Sequence, residues 1–73
     1  YTLPAGMHRV SLAVYDIRGR LVRTLVDREQ GQGAYNVIWD GKASSGQQVA
    51  SGVYFSRLRA GSFSSVRKMV LVK

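Results

Sequence analysis

Apolar and polar side chains alternate between Arg9 and Ile17, with Val10, Leu12 and Val14 pointing one way and Ser11, Ala13 and Tyr15 the other. This pattern predicts a half-buried strand. Asp16-Ile17-Arg18-Gly19 follows, an Asp to accept from backbone N–H groups and a Gly for positive φ, which predicts a type I turn with a glycine bulge. Leu21 to Val26 then returns as the hairpin partner. Leu21, Arg23 and Leu25 share one face and Val22, Thr24 and Val26 the other. Both faces are mostly apolar, so the strand is expected to be central in its sheet or covered by something outside the chain.

A second hairpin is predicted nearer the C-terminus. Val53 to Ala60 places Tyr54 and Leu58 opposite Phe55, Arg57 and Arg59, and Gly61-Ser62 turns the chain. Val66 to Lys73 returns, with Val66, Val70 and Val72 on one face and Met69 and Leu71 on the other. Tyr1-Thr2-Leu3-Pro4 reads as a short edge strand closed by a proline that cannot donate to a ladder, and Ala5 to His8 as a connector. Asp27 to Gly33 is polar and carries two glycines, which argues against a helix and for a loop crossing between sheets.

Tyr35-Asn36-Val37-Ile38-Trp39-Asp40-Gly41 is the centre of this scheme. Its β-branched and aromatic run ending in Asp-Gly predicts a buried strand meeting a turn. Trp39, the one tryptophan, is expected at the middle of the core with its indole N–H seeking an acceptor. Asp40 is expected to close an Asx turn that fixes the loop Gly41 to Gln48. Six strand segments and no helix predict an all-β fold, a small antiparallel sandwich.

The 73 residues make one domain at most, and a chain of this size buries only about 60% of its unfolded surface. Cysteine is absent, so no disulfide reinforces it. No apolar run reaches a membrane span and no signal peptide is evident. A start at Tyr1 rather than methionine reads as a processed product or the tail of something longer. Eleven Lys and Arg against four acids give a formal charge of +7. Such a surface suits polyanions such as acidic glycans or lipopolysaccharide, or serves solubility alone.

Catalytic chemistry finds no support. The single His8 has no second ligand or nucleophile nearby, and the acids fall in turns. Asp40 alone cannot build a calcium site, and the glycine-rich pieces lack the strand-to-helix context of a phosphate loop. No enzyme, cofactor or metal is expected. The second hairpin would bring Arg67 across from or diagonal to Arg57 and Arg59. Three like charges repel unless an anion sits among them, which makes them a candidate basic contact patch, or else three solvated side chains. No aromatic is interleaved with these arginines and no reader motif appears, so nucleic acid is not the expected partner.

Leu3-Pro4, Val10 to Tyr15, Asp16 with Gly19-Arg20 and Val22, Gly33, Tyr35, Trp39-Asp40-Gly41, Gly46, Gly52-Val53-Tyr54 and the closing Lys68-Met69-Val70-Leu71-Val72-Lys73 form one pattern. It resembles the immunoglobulin-like domain of flagellar hook-capping proteins and the similar C-terminal sorting domains of the type IX secretion system, over nearly the whole chain. The resemblance implies an immunoglobulin-like β-sandwich of about six to seven strands. It would form a C-terminal module of a longer secreted protein, located outside the cell or at its surface. It further implies that Lys68, Met69, Val70, Leu71, Val72 and Lys73 form a sorting tail read by secretion or cell-surface machinery. Gly19, Trp39, Asp40, Gly41, Gly46, Gly52 and Tyr54 are implied to specify the fold. The family usually carries an upstream strand that is missing ahead of Tyr1 here. The open edge this would leave is a template for strand addition by a neighbouring subunit or domain.

Three functional expectations follow: a non-catalytic sorting or anchoring module, a structural subunit of an extracellular filament or layer, and a polyanion- or glycan-binding module through Arg57, Arg59 and Arg67.

Overall fold

Two hairpins make the larger layer of the sandwich. The first joins β2, His8–Asp16, to β3, Leu21–Gln30, and the second joins β5, Gly52–Ala60, to β6, Phe63–Leu71. They lie side by side as an antiparallel sheet in the order β3-β2-β5-β6. The smaller layer pairs β1, Thr2–Leu3, with β4, Gly33–Ala34. The computed structural model describes residues 1–72, and no helix occurs among them. The chain is therefore the all-β, two-layered antiparallel sandwich that its alternation predicts.

The first turn forms as its sequence dictates. Gly19 takes φ +80°, its N–H donates to the Asp16 carbonyl at 3.0 Å, and Asp16 Oδ1 accepts from the N–H groups of Arg18 and Arg20. Val10, Leu12 and Val14 are buried, and Val10 and Val14 are the largest side chains with no exposure at all. Val10 and Leu12 cluster with Leu3, Val26 and Ala60, flanked by Tyr1, Leu25, Tyr35 and Leu58. The core thus sits where β1 and Tyr35 lie over β2, β3 and β5.

Four expectations are corrected. The run Tyr35 to Trp39 belongs to no strand. The ladder alongside β1 ends at Tyr35, whose N–H donates to the Tyr1 carbonyl at 2.7 Å, and among the described residues 36 to 38 make no backbone hydrogen bond to another segment. Strand propensity expresses a fit to a pleated surface, and without a neighbour it has nothing to fit. Trp39 is half-buried rather than central, and the fully buried positions are valines of β2.

Asp27 to Gln30 is no crossing loop but the end of β3, paired with Ser11 to His8. Arg9 forms an ion pair with Asp27 there, and the Tyr1 hydroxyl donates to the buried Gln30 amide. Only Gly31 and Gln32 connect β3 to β4. β3 is also an edge strand, not a central one. At one end of this edge the chain's own loop bonds it, Ser44 donating its N–H to the Val22 carbonyl at 3.0 Å.

Candidate functional site

The loop between β4 and β5 carries most of the residues picked out as fold-specifying, and it closes one end of the sandwich. Trp39 meets Tyr54 edge-to-face with ring centroids 5.2 Å apart, and its indole N–H donates to the Lys42 carbonyl at 2.9 Å. Asp40 closes the expected Asx turn, accepting from the Lys42 N–H at 3.0 Å, and the same oxygen accepts from Arg23 at 3.0 Å. Gly41 is buried at φ +77°, and a Cβ there would lie 3.6 Å from the Leu71 side chain. The Tyr54 hydroxyl donates to the Ala50 carbonyl at 2.7 Å. These bonds clamp the loop onto β3 on one side and β5 on the other.

Groups with catalytic potential are dispersed or already engaged. His8 lies with Nε2 3.2 Å from the Pro4 carbonyl. Asp16, Asp27 and Asp40 are each held by an arginine, Arg20, Arg9 and Arg23 respectively. The Arg20 backbone N–H, then that of Arg18, then the Arg20 charge hold the Asp16 carboxyl below its ordinary pKa, against a weaker opposing effect of burial. Burial pushes the Tyr1 phenol up. Among the described residues no three His, Cys, Asp or Glu side chains gather as metal ligands.

The three arginines expected to form one patch divide between two faces. In an antiparallel ladder, residues opposite one another project from the same face. Arg57 is opposite Ala13 and Val66, and Arg59 opposite Ser11 and Ser64, so both lie on the outer face, away from β1. Arg67 is opposite Ser56, on the inner face with Leu58 and Ala60. The Gly61-Ser62 turn sets Ala60 against Phe63, and this register places Arg67 one residue out of step with the other two.

The tail residues also part by alternation. Lys68 and Val70 pair with Phe55 and Val53 and face outward, whereas Met69 and Leu71 pair with Tyr54 and Gly52 and are half-buried on the inner face. Val72 follows the strand and is 82% exposed, and Lys73 lies outside the described residues.

This arrangement of two packed antiparallel sheets, with a hairpin-rich chain and its Trp-Asp-Gly corner, agrees with a match of residues 1–62 to the family described as FlgD Ig-like domain. The chain belongs to the FlgD Ig-like domain family. It is thus an immunoglobulin-like sandwich from a family of structural, non-catalytic domains. The family match ends in the turn before β6, so the tail Lys68 to Lys73 lies beyond it. Among curated proteins and among solved structures nothing matches this FlgD Ig-like chain.

One feature of this FlgD Ig-like sandwich escaped the sequence reading. The smaller layer covers only part of the inner face, leaving a cleft of about 690 Å³ bounded by β1, residues 35 to 37, β5 and β6. Leu3, Leu12, Leu58, Val37 and Phe63 line it, with Arg67 among them. The signal was present in the chain: a strand-type run at Tyr35 to Trp39 that continues past Tyr35, the last residue of it bonded to β1.

Proposed function

We propose that this domain is a non-catalytic module that sorts an exported bacterial protein to the cell surface or anchors it there, with Lys68 to Lys73 as the element read by the export or surface machinery. The observation that carries the reading is the placement of the tail. Lys68 to Leu71 form the end of β6, which has a single neighbour among the described strands, with Lys68 and Val70 turned outward and Met69 and Leu71 half-buried on the inner face. The described part of β6 from Lys68 to Leu71 is thus both paired and partly exposed. Kinship to the FlgD Ig-like domain, a hook-associated structural family, supports an extracellular setting.

The test is a reporter fused ahead of the domain in a host with the type IX system. Lys68→Glu with Val70→Glu alters only outward-facing side chains, and export should fall while the domain stays folded by circular dichroism. Undiminished export of the folded double variant would count against the reading. Removing residues 68 to 73 altogether would instead strip the half-buried Met69 and Leu71 and report on folding.

A second reading has its own support. β6 is a nine-residue edge whose Phe63, Val66 and Val70 are 58%, 61% and 65% exposed, and such an edge is a template for another chain. A subunit of an extracellular filament or layer would use it. Size-exclusion chromatography and electron microscopy of the pure domain decide the matter, and a monomer persisting at high concentration removes this reading.

A further inference from the structure

The outer face of the large sheet is divided along its strands. Residues opposite one another project from the same face, and the pairings set Leu21, Tyr15, Phe55 and Lys68 in one row across it. The next row is Thr24, Ala13, Arg57 and Val66, and the one beyond is Asp27, Ser11, Arg59 and Ser64. Arg9 and Glu29 follow. Apolar side chains gather at the end that carries the turn between β2 and β3. Ile17 is 71% and Leu21 57% exposed, Val66 and Val70 stand exposed on β6, and Tyr15 and Phe55 are half-buried between them. Tyr15, Ile17, Phe55 and Val66 share a shallow depression of about 330 Å³, with Arg57 at its side.

Charge divides along the same line. Asp27 and Glu29 lie at the far end, whereas the turn end carries Arg18, Arg20, Arg57 and Lys68 against Asp16, which Arg20 already holds. No carboxylate pairs with Arg18, Arg57 or Lys68 among the described residues. Exposed aliphatic groups flanked by unpaired cations suit a lipid interface, where the apolar groups enter the acyl boundary and Lys and Arg stay with the headgroup phosphates. A second copy of the chain would set like charge against like, which opposes association. An acidic protein would satisfy the cations. The aliphatic groups, however, stand on three separate segments around a shallow depression, without the well-packed pocket in which protein interfaces concentrate their binding. A fluid lipid surface requires no such fit.

We propose that the turn end of the outer face docks on the surface of an anionic phospholipid bilayer. Ile17, Leu21 and Val66 enter the boundary between headgroups and acyl chains, and Arg18, Arg57 and Lys68 meet the phosphates. The end with Asp27 and Glu29 stays in water, away from the negative surface. Docking does not depend on the tail acting as a sorting signal, and the variants that test it leave Lys68 and Val70 in place.

The experiment sediments the chain with vesicles of phosphatidylglycerol and phosphatidylcholine in equal parts, and with vesicles of phosphatidylcholine alone. The mixed vesicles should bind it, less so as salt rises, and the neutral ones should not. Ile17→Thr with Val66→Thr alters two exposed side chains at constant charge, keeps both β-branched, and should weaken binding by about tenfold. Arg57→Gln should weaken it by about fivefold. Arg28→Gln removes the same charge opposite Val10, on the inner face, and should leave binding nearly unchanged. Circular dichroism checks that each variant is folded. Spin-labelled lipid in the mixed vesicles should broaden the amide signals of Ile17, Leu21, Phe55 and Val66 and spare those of Ser11 and Asp27. Absence of binding, equal binding to both vesicles, indifference to the aliphatic pair, or equal losses from Arg57→Gln and Arg28→Gln would each overturn the proposal. So would glycerol phosphate moving the same signals as strongly as vesicles do, which would leave an anion site alone. Polyglutamate bound as tightly as the vesicles, and weakened by the aliphatic pair, would make the occupant an acidic polypeptide and overturn it too. Dimerisation of the free chain through the same face would do likewise.

Discussion

Trp39 and Val10 give the sharpest test of where this sandwich draws its stability. Tyr54 pairs with Met69 and lies opposite Asp16, while Ala60 lies opposite Val10. Tyr54 and Ala60 are six positions apart along β5, roughly 20 Å at the rise of a strand. Trp39, packed on Tyr54, therefore belongs to the opposite end from Val10. Val10→Ala removes two methyl groups from a site with no exposure, which costs about 1.6 kcal/mol in transfer and about 2–3 kcal/mol once the cavity is included. Trp39→Phe keeps an aromatic ring against Tyr54 but loses the donor to the Lys42 carbonyl, a loss of about 1 kcal/mol. For a domain of this size these become midpoint shifts of about 10–20 °C and about 4–8 °C. Sites this far apart should add to within about 0.5 kcal/mol. Calorimetry of the two single variants and the double variant measures all three terms. Amide exchange at Ser44, whose N–H is bound to Val22, should quicken more in Trp39→Phe than in Val10→Ala relative to global stability. A Trp39→Phe cost equal to that of Val10→Ala, or coupling well beyond additivity, would refute the placement of the tryptophan as a clasp at one end.

Other outcomes follow from single contacts. The folded Asp16 pKa is depressed, so the carboxylate contributes stability above its unfolded value near 3.8 that is lost as pH falls through the lower folded value. Asp16→Ala should flatten the acid limb of a melting-temperature profile below about pH 4, and an unchanged limb would show that the turn bonds are immaterial. Gly41→Ala forces a Cβ onto a residue at φ +77° facing Leu71 and should cost about 1–2 kcal/mol by urea unfolding. If the outer face binds polyanions, Arg57→Ala with Arg59→Ala should shorten heparin retention more than two neutralised charges elsewhere, such as Arg18→Ala with Arg28→Ala. Arg67→Ala should have little effect because it points to the inner face. Equal loss from both pairs would leave net charge as the explanation.

The hairpins were legible because their information is local. Alternation in β2 and the Asp16 to Gly19 turn each specify their geometry within a few residues, and Val10, Leu12 and Val14 went to the core as patterned. What escaped depended on neighbours. Tyr35 to Trp39 has the composition of a strand, but whether it joins a ladder depends on a segment elsewhere in space, and the β1 ladder stops at Tyr35. Asp27 to Gln30 looks like a loop by composition, yet cross-strand partners in β2 and the bond from Tyr1 hold it in the sheet. The split of Arg67 from Arg57 and Arg59 turned on a one-residue difference in register, to which alternation within a strand is blind. The candidate site was legible as residue types and open edges, and its cleft emerged only from the packing of the two layers.

The bond from Ser44 to Val22 has a consequence for how far any sheet-to-sheet assembly could extend. The loop bonds β3 at Val22, so near that end the large sheet offers the β6 edge rather than β3 to another molecule. Two such borders joined about a twofold axis close on themselves and stop at a pair. Growth into a fibre would require a second, dissimilar surface, and the loop bonded at Val22 shortens the stretch of β3 that could supply it.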